Sequence, residues 1–267
     1  MLEGGAEHRP FAMSALLARL RSALFMAWMA VTVVPFAIAA VLLSIVVRGD
    51  PVYWVCITWL RLCIGGARVI CGVNYRVSGM EQLPVDRLSA VILLPKHQST
   101  WETFAFPALM PHPLCYVFKR ELLYIPFFGW AIGRLDMIHI DRNKRAQAWS
   151  RVAEQGRRHM QKGNWVIMFP EGTRTARGSQ GVYKSGGTRL AVELGTPVVP
   201  IAVSSAKCWP RKSLMLRPGV IDVSIGAPIA SVGRQSDELM REVEAWIEQE
   251  MRRLDPEAYA DAPRAAA

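Results

Sequence analysis

Apolar and polar positions divide the chain into two regimes. From Ala23 to Val47 no charged residue interrupts the sequence, and Arg21 and Arg48 bracket the run. Roughly 20 consecutive apolar residues let a helix cross the hydrocarbon core of a bilayer. The stretch therefore predicts a membrane-inserted helix, with Pro35 expected to kink it. A signal peptide would have a shorter apolar region ending in a small-residue cleavage site, and Val46-Val47-Arg48 is not such a site. After the turn signal Gly49-Asp50-Pro51, a second apolar stretch, Val52 to Ile64, is interrupted by Arg61 and is too short to span alone. Residues 1–22 read as a basic N-terminal segment. Residues 23–73 read as a helical hairpin that crosses once or dips into one leaflet, with Trp28, Tyr53, Trp54 and Trp59 as interfacial anchors. A hairpin buried in a protein core would carry the same pattern.

From about Asn74 the pattern changes to short β-branched or apolar runs separated by helical periodicity. The runs are Ala90–Leu94, Cys115–Phe118, Met137–Ile140, Trp165–Phe169, Pro197–Val203 and Val220–Ile225. Between them, Lys144–Gln161 sets Trp149, Val152, Ala153, Gly156 and Met160 at helical spacing, with Gly163 as a stop. A last helix is predicted over Asp237–Leu254, capped by Ser236, with Leu239, Val243, Trp246, Ile247, Met251 and Leu254 on one stripe. Such alternation predicts an α/β fold: a single domain over residues 74–255 with a mostly parallel sheet flanked by helices, preceded by the N-terminal hairpin and followed by a flexible tail at 256–267.

Composition narrows the class of partner. Half of the 267 residues are hydrophobic (51%) and the formal net charge is +10, a pairing that a membrane surface with anionic lipid explains. Nucleic acid also suits a basic chain, but the sequence contains no helix-turn-helix, RNA-binding aromatic pair or zinc-knuckle spacing. Cys56, Cys63, Cys71, Cys115 and Cys208 are dispersed, form no CxxC pair and read as reduced packing residues. Neither a metal nor a redox site is indicated.

Candidate chemistry gathers at strand ends, where open α/β sheets place their sites. His97 follows the strand ending at Leu94, and Glu102 sits in the first turn of the next helical run, with Ser99 or Thr100 as N-cap. Inside one helix, side chains five apart point about 140° away from each other. A histidine in the preceding loop can instead fold back, so that Glu102 fixes its tautomer and leaves the other ring nitrogen free to take a proton. An ordinary loop histidine beside a surface carboxylate would have the same spacing. The second cluster, Phe169-Pro170-Glu171-Gly172-Thr173-Arg174, lies where the strand from Trp165 stops. Gly172 lets the backbone approach a ligand, Thr173 offers a hydroxyl, and Arg174 can fork onto a phosphate, with Glu171 holding the arginine in place. A surface turn with an internal Glu-Arg pair is the alternative. Lys119, Arg120 and Lys184 would add cationic field or form a solvated basic face.

In this order, the motifs resemble those of the glycerolipid acyltransferase family. His97 and Glu102 occupy the places of the family's His-x4-Asp motif, Phe169–Arg174 matches its third motif without change, and Val199-Pro200-Ile201-Ala202 matches its fourth, so the resemblance spans about Val91 to Val203. Glu102 departs from the usual Asp by one methylene. The second motif is only partly kept, with Asp136 and His139 off pattern and Ile140 and Arg142 on it. The resemblance implies His97 as general base, Glu102 as its orienting carboxylate, and Arg142, Glu171, Gly172, Thr173 and Arg174 as ligands of an acceptor's phosphate. It implies transfer of a fatty acyl group from acyl-CoA or acyl-acyl carrier protein to the sn-2 hydroxyl of 1-acyl-glycerol-3-phosphate. No cofactor beyond that thioester co-substrate is implied. A same-family enzyme acting on glycerol-3-phosphate or a lyso-aminolipid, a thioesterase, and a non-catalytic membrane scaffold are the alternatives. The acyl carrier protein enters only as a donor. A membrane location follows, the inner membrane in a bacterium, with the catalytic domain facing the cytoplasm. The sequence contains no Gly-x-Ser-x-Gly elbow, so an acyl-serine route is disfavoured.

Overall fold

The computed structural model describes residues 15–86, 89–135, 137–140 and 145–259. The apolar N-terminal region forms two antiparallel helices, α1 (Ala15–Val46) and α2 (Asp50–Cys71), broken at Gly49, where φ is 83°, and restarted by Pro51 in the first turn. Helix α1 begins eight residues before the expected boundary and runs unbroken through Pro35. Helix α2 continues past Arg61, which reaches outward to donate to the carbonyl of Ala108 at 3.3 Å. Both helices are long and apolar enough to cross a membrane, and α1 exposes Leu20, Leu24, Val31, Ile38, Leu42 and Ile45. These form an exposed apolar face.

The inner face of the hairpin docks on the rest of the molecule. Gly66 gives α2 its close approach to α1, since a Cβ there would lie 2.5 Å from the ring of Trp28. Phe25 of α1 packs edge-on to Trp209 at 5.8 Å, and Ser22 accepts from the backbone of Leu216 at 2.9 Å. Two of the expected interfacial anchors also face inward. Trp59 is buried and donates to Thr32 at 3.1 Å, while the buried Tyr53 hydroxyl accepts from the backbone of Leu114 at 2.9 Å. A buried indole or phenol needs a polar partner, and here those partners weld α2 to α1 and to the sheet.

The catalytic-domain elements follow as β1 (Val73–Ser78), β2 (Ile92–Pro95), α3 (Trp101–Leu109), β3 (Leu114–Lys119), α4 (Phe128–Ile132), β4 (Ile138–Ile140) and α5 (Arg145–Gln161). Then come β5 (Trp165–Ile167), α6 (Gly186–Leu194), β6 (Val198–Val203), β7 (Gly219–Ile225), α7 (Ser236–Leu254) and α8 (Pro256–Tyr259). The strands form one sheet in the order β1-β7-β6-β2-β5-β3-β4, and among them only β6 against β7 pairs antiparallel. Strand β2 is buried throughout, as a central parallel strand with both faces covered must be. Leu93 faces the layer of α2 and α3, and Ile92 and Leu94 face α5–α7. Each such fully buried side chain contributes about 1.5–3 kcal/mol.

Three local expectations differ from the structure. Strand β1, an edge strand beside β7, is not among the expected strands. Ser236 is the first residue of α7 rather than its cap, which falls on Gln235 without a side-chain bond. The start of the expected tail forms α8, where Tyr259 is buried beneath the guanidinium of Arg252.

Candidate active site

The strand order places β2 between β6 and β5. The segments leaving the C-terminal ends of these three strands therefore converge. His97 comes from the first, Ser205 from the second, and the 169–175 loop from the third.

The imidazole of His97 folds back onto the start of α3, where Nδ1 lies 2.6 Å from Oε2 of Glu102. A carboxylate only accepts, so Nδ1 carries the hydrogen and Nε2 keeps its lone pair. Glu102 is fully buried and the His97 side chain is 13% exposed, which leaves the outer edge of the ring reachable by a ligand. The backbone N–H groups of Gln98 and Ser99 each donate to Oε1 of Glu102 at 2.9 Å, and the hydroxyl of Ser205 donates to the same oxygen. These donors hold the carboxylate in place at the N-terminal end of α3. The N-cap position of α3 falls on Thr100, whose side chain makes no cap bond; one residue earlier, Ser99 Oγ accepts from the N–H of Trp101 at 3.0 Å while Glu102 reaches back to the Ser99 N–H, a reciprocal arrangement of the capping-box kind.

The third-motif loop is fastened to the same histidine. The ring of Phe169 stacks on the imidazole with centroids 3.8 Å apart, and Thr175 donates both its N–H (2.8 Å) and its hydroxyl (3.2 Å) to the His97 carbonyl. Gly172 has φ 64°, a left-handed conformation that favours glycine, and a Cβ there would lie 3.1 Å from Nζ of Lys184. Lys184, ambiguous in the sequence, is thereby brought over the loop. Thr173 is exposed and Arg174 is half-buried. The carbonyl of Arg174 accepts from Arg211 at 2.7 Å, and among the described residues no carboxylate pairs with its guanidinium. Gly172, Thr173, Arg174 and Lys184 can therefore present a hydroxyl and cations to an anion.

Glu171 is the residue whose expected place the fold corrects. It is 3% exposed and holds no arginine. Its Oε1 accepts from Lys96 Nζ (2.8 Å) and Gly181 N (3.0 Å), and its Oε2 accepts from the backbone N–H of His97 at 3.0 Å. Lys96, fully buried, also donates to Glu248 on α7 at 2.6 Å and to the Ser179 carbonyl at 3.1 Å. Burial, reinforced by Glu248 and Glu171, holds the phenol of Tyr183 far above its ordinary range, so it stays protonated and donates to Glu248 at 2.8 Å. Glu171 thus bonds the His97 backbone and Lys96 in place of the expected arginine. Arg142 lies outside the described residues, as do Asp136 and the side chains of His139, Lys119 and Arg120.

Lys96, Thr175, Ser205 and Glu248 were missed by sequence reasoning. A lysine at the end of the apolar run Val91–Pro95 is a signal that a buried counter-charge is required. Beneath α3, an apolar cavity of about 100 Å³ is bounded by Phe36 of α1, Ile57 of α2, Thr103 and Phe104 of α3, Tyr116 of β3 and Phe128 of α4. Tyr116 and Phe169 approach to 6.3 Å, so the cavity begins beside the ring that stacks on His97.

Comparison with known proteins places this geometry. The model of the acyltransferase family matches residues 74–204. The 1-acyl-sn-glycerol-3-phosphate acyltransferase of Pseudomonas aeruginosa is 43% identical over 201 residues, covering 74% of this chain and 77% of that protein. The enzyme of the same name from Salmonella typhimurium is 31% identical over 188 residues, covering 68% of this chain and 75% of its own length. The crystal structure of the 1-acyl-sn-glycerophosphate acyltransferase of Thermotoga maritima superposes with a TM-score of 0.76 at 22% identity, covering 95% of this chain and 100% of that one. It shares the fold.

Proposed function

The chain belongs to the acyltransferase family that includes the 1-acyl-sn-glycerol-3-phosphate acyltransferases, and from that premise we propose that it acylates the sn-2 hydroxyl of 1-acyl-glycerol-3-phosphate, making phosphatidic acid. One observation carries the reading: an imidazole with its outer nitrogen free, oriented by a buried carboxylate, on the loop to which Arg174 and Gly172 are fastened.

The chemistry needs no enzyme nucleophile. Nε2 of His97 takes the proton of the acceptor hydroxyl as its oxygen attacks the thioester carbonyl. The tetrahedral intermediate collapses with cleavage of the C–S bond, and the imidazolium returns its proton to the departing thiolate. Glu102 stabilises the imidazolium between these steps. General-base catalysis of this kind contributes about 10²- to 10⁴-fold, and holding both substrates in reacting geometry contributes about 7–11 kcal/mol. Arg174, with Lys184 beside Gly172, holds the acceptor's phosphate, and the apolar cavity under α3 has the lining for a hydrocarbon chain. Acyl-CoA and acyl-acyl carrier protein both supply the required thioester.

Attachment to a membrane fits substrates that reside there. Residues 22–37 of α1 pack along the α/β domain, through Ser22, Phe25 and the cavity wall at Phe36 and Ala37. At 1.5 Å per residue, about 22 Å of the helix is thus occupied by protein. This favours a hairpin immersed on one side, over a helix crossing clear of the domain. Tyr124, Ile125 and Trp130, exposed between β3 and β4, extend the apolar surface. The active site then faces the cytoplasm, where the thioesters are. The test is to incubate purified protein in detergent with a labelled acyl thioester and a panel of lysolipids. Phosphatidic acid as the main product supports the reading; hydrolysis of the thioester independent of acceptor, or preferred acylation of glycerol-3-phosphate or a lyso-aminolipid, overturns it.

A further inference from the structure

We propose that Ser205 is a positioning residue of the His97–Glu102 pair: its hydroxyl fixes where the Glu102 carboxylate points and how much negative charge that carboxylate presents to the imidazole. The inference rests on His97 acting as the base, and goes beyond it by assigning a third residue that no motif contains.

The carboxylate of Glu102 and the side chain of Ser205 are both fully removed from solvent, and Gln98 and Ser99 beside them are equally buried. Water therefore does not level the difference between one donor and three. Oε1 is occupied by the Gln98 and Ser99 amides and by the Ser205 hydroxyl, while Oε2 faces Nδ1 of His97 at 2.6 Å and shares the Gln98 amide at 3.1 Å. The amides fix one edge of the carboxylate from its own helix start. Ser205 alone among these donors comes from another strand.

Its placement is itself braced. Ser204 donates its N–H to the Asp222 carbonyl at 3.0 Å and accepts from the Asp222 N–H at 3.0 Å, which locks the end of β6 to β7. Ser205 then begins a 3₁₀ turn whose carbonyl accepts from Trp209 at 2.9 Å. The departure of this sequence from the aspartate of the family motif now has a physical counterpart. The additional methylene of Glu102 lets one carboxylate bridge the β2 loop and the β6 turn, a reach that an aspartate, one methylene shorter, would lack.

The other ionisable groups around the pair are accounted for. Tyr116 of β3 faces Glu102 and is held protonated, chiefly by burial. Lys96 is committed to Glu171 and Glu248, Glu171 meets His97 only through its backbone, and Lys207 lies on the turn that carries Ser205. With the Ser205 hydroxyl gone, the carboxylate's charge concentrates on the imidazole and stabilises its protonated form, so the neutral base forms only at a higher pH.

The experiment is the pH profile of kcat/KM for acyl transfer. Ser205→Ala should move the acid limb upward by about 0.5–1 pH unit while lowering the plateau less than about 10-fold. Ser205→Thr, which restores the hydroxyl, should return the limb. Glu102→Asp should remove the sensitivity to Ser205→Ala. An unmoved limb in folded Ser205→Ala protein overturns the assignment, because a merely structural role lowers the plateau without shifting it. If the alanine variant does not fold, Ser205→Cys carries the test. Its weaker donor should shift the limb in the same direction, and an unshifted limb refutes the proposal. His97→Ala separates the two readings: retained activity there removes the base itself, whereas an inactive His97→Ala with an unmoved Ser205→Ala limb removes only Ser205.

Discussion

The rings of His97 and Phe169 stack with centroids 3.8 Å apart and planes 21° from parallel, joining the first residue of one motif to the first residue of another across adjacent strands. The contact orients the imidazole from its face, as Glu102 orients it from its edge. Phe169→Leu retains the bulk but loses the flat partner. Such ring pairs are worth about 0.5–1.5 kcal/mol, so kcat should fall about 2- to 10-fold with the acceptor KM unchanged, as steady-state kinetics will show.

Lys96 bridges two buried carboxylates, Glu171 and Glu248. Removing one partner of a buried ionic group typically costs about 3–5 kcal/mol. Lys96→Met should therefore lower the midpoint of chemical unfolding sharply, and a second change, Glu248→Gln, should recover part of the loss. Equal stability of Lys96→Met and the parent protein would contradict the network.

Arg174→Ala should raise the KM for the lysophosphatidic acceptor by about 10- to 100-fold, the worth of a charge-assisted hydrogen bond, and leave the KM for the thioester unchanged. Arg174→Lys should recover only part, since a point charge replaces a planar fork. A change confined to the thioester KM would move Arg174 to the donor side.

Burial pushes the Cys208 thiol up to about 11. The folded state holds that proton above the pH at which the unfolded chain releases it. The contribution to stability is therefore complete below the ordinary thiol range and is lost as pH rises through about 11. Alkylation at pH 8 should leave Cys208 unmodified in the folded protein and label it on denaturation, as mass spectrometry of the Cys208 peptide will report.

The parts of the fold legible in the sequence were those fixed by local periodicity. Strands β2, β3, β5, β6 and β7 are buried on both faces over most of their length, so they stand out as apolar runs. Strand β1 did not, because Val73–Ser78 is a mostly exposed edge strand whose partner among the described residues lies 146 positions away at β7. The same distinction holds at the site. His97 and Glu102 are five apart and could be paired on paper, whereas the partners of Lys96 lie 75 and 152 positions distant and that of Ser205 lies 103. The partner of Glu171 was hidden for this reason: the arginine three residues on was visible, and the lysine just past the neighbouring strand was not.

Whether His97 is the base is decided by single-turnover acyl transfer to 1-acyl-glycerol-3-phosphate with His97→Ala beside the parent enzyme. The account predicts a fall of about 10²- to 10⁴-fold, with unchanged thermal stability and an unchanged membrane-bound fraction. A variant that folds, remains membrane-bound and keeps more than about a tenth of the parent rate would contradict it.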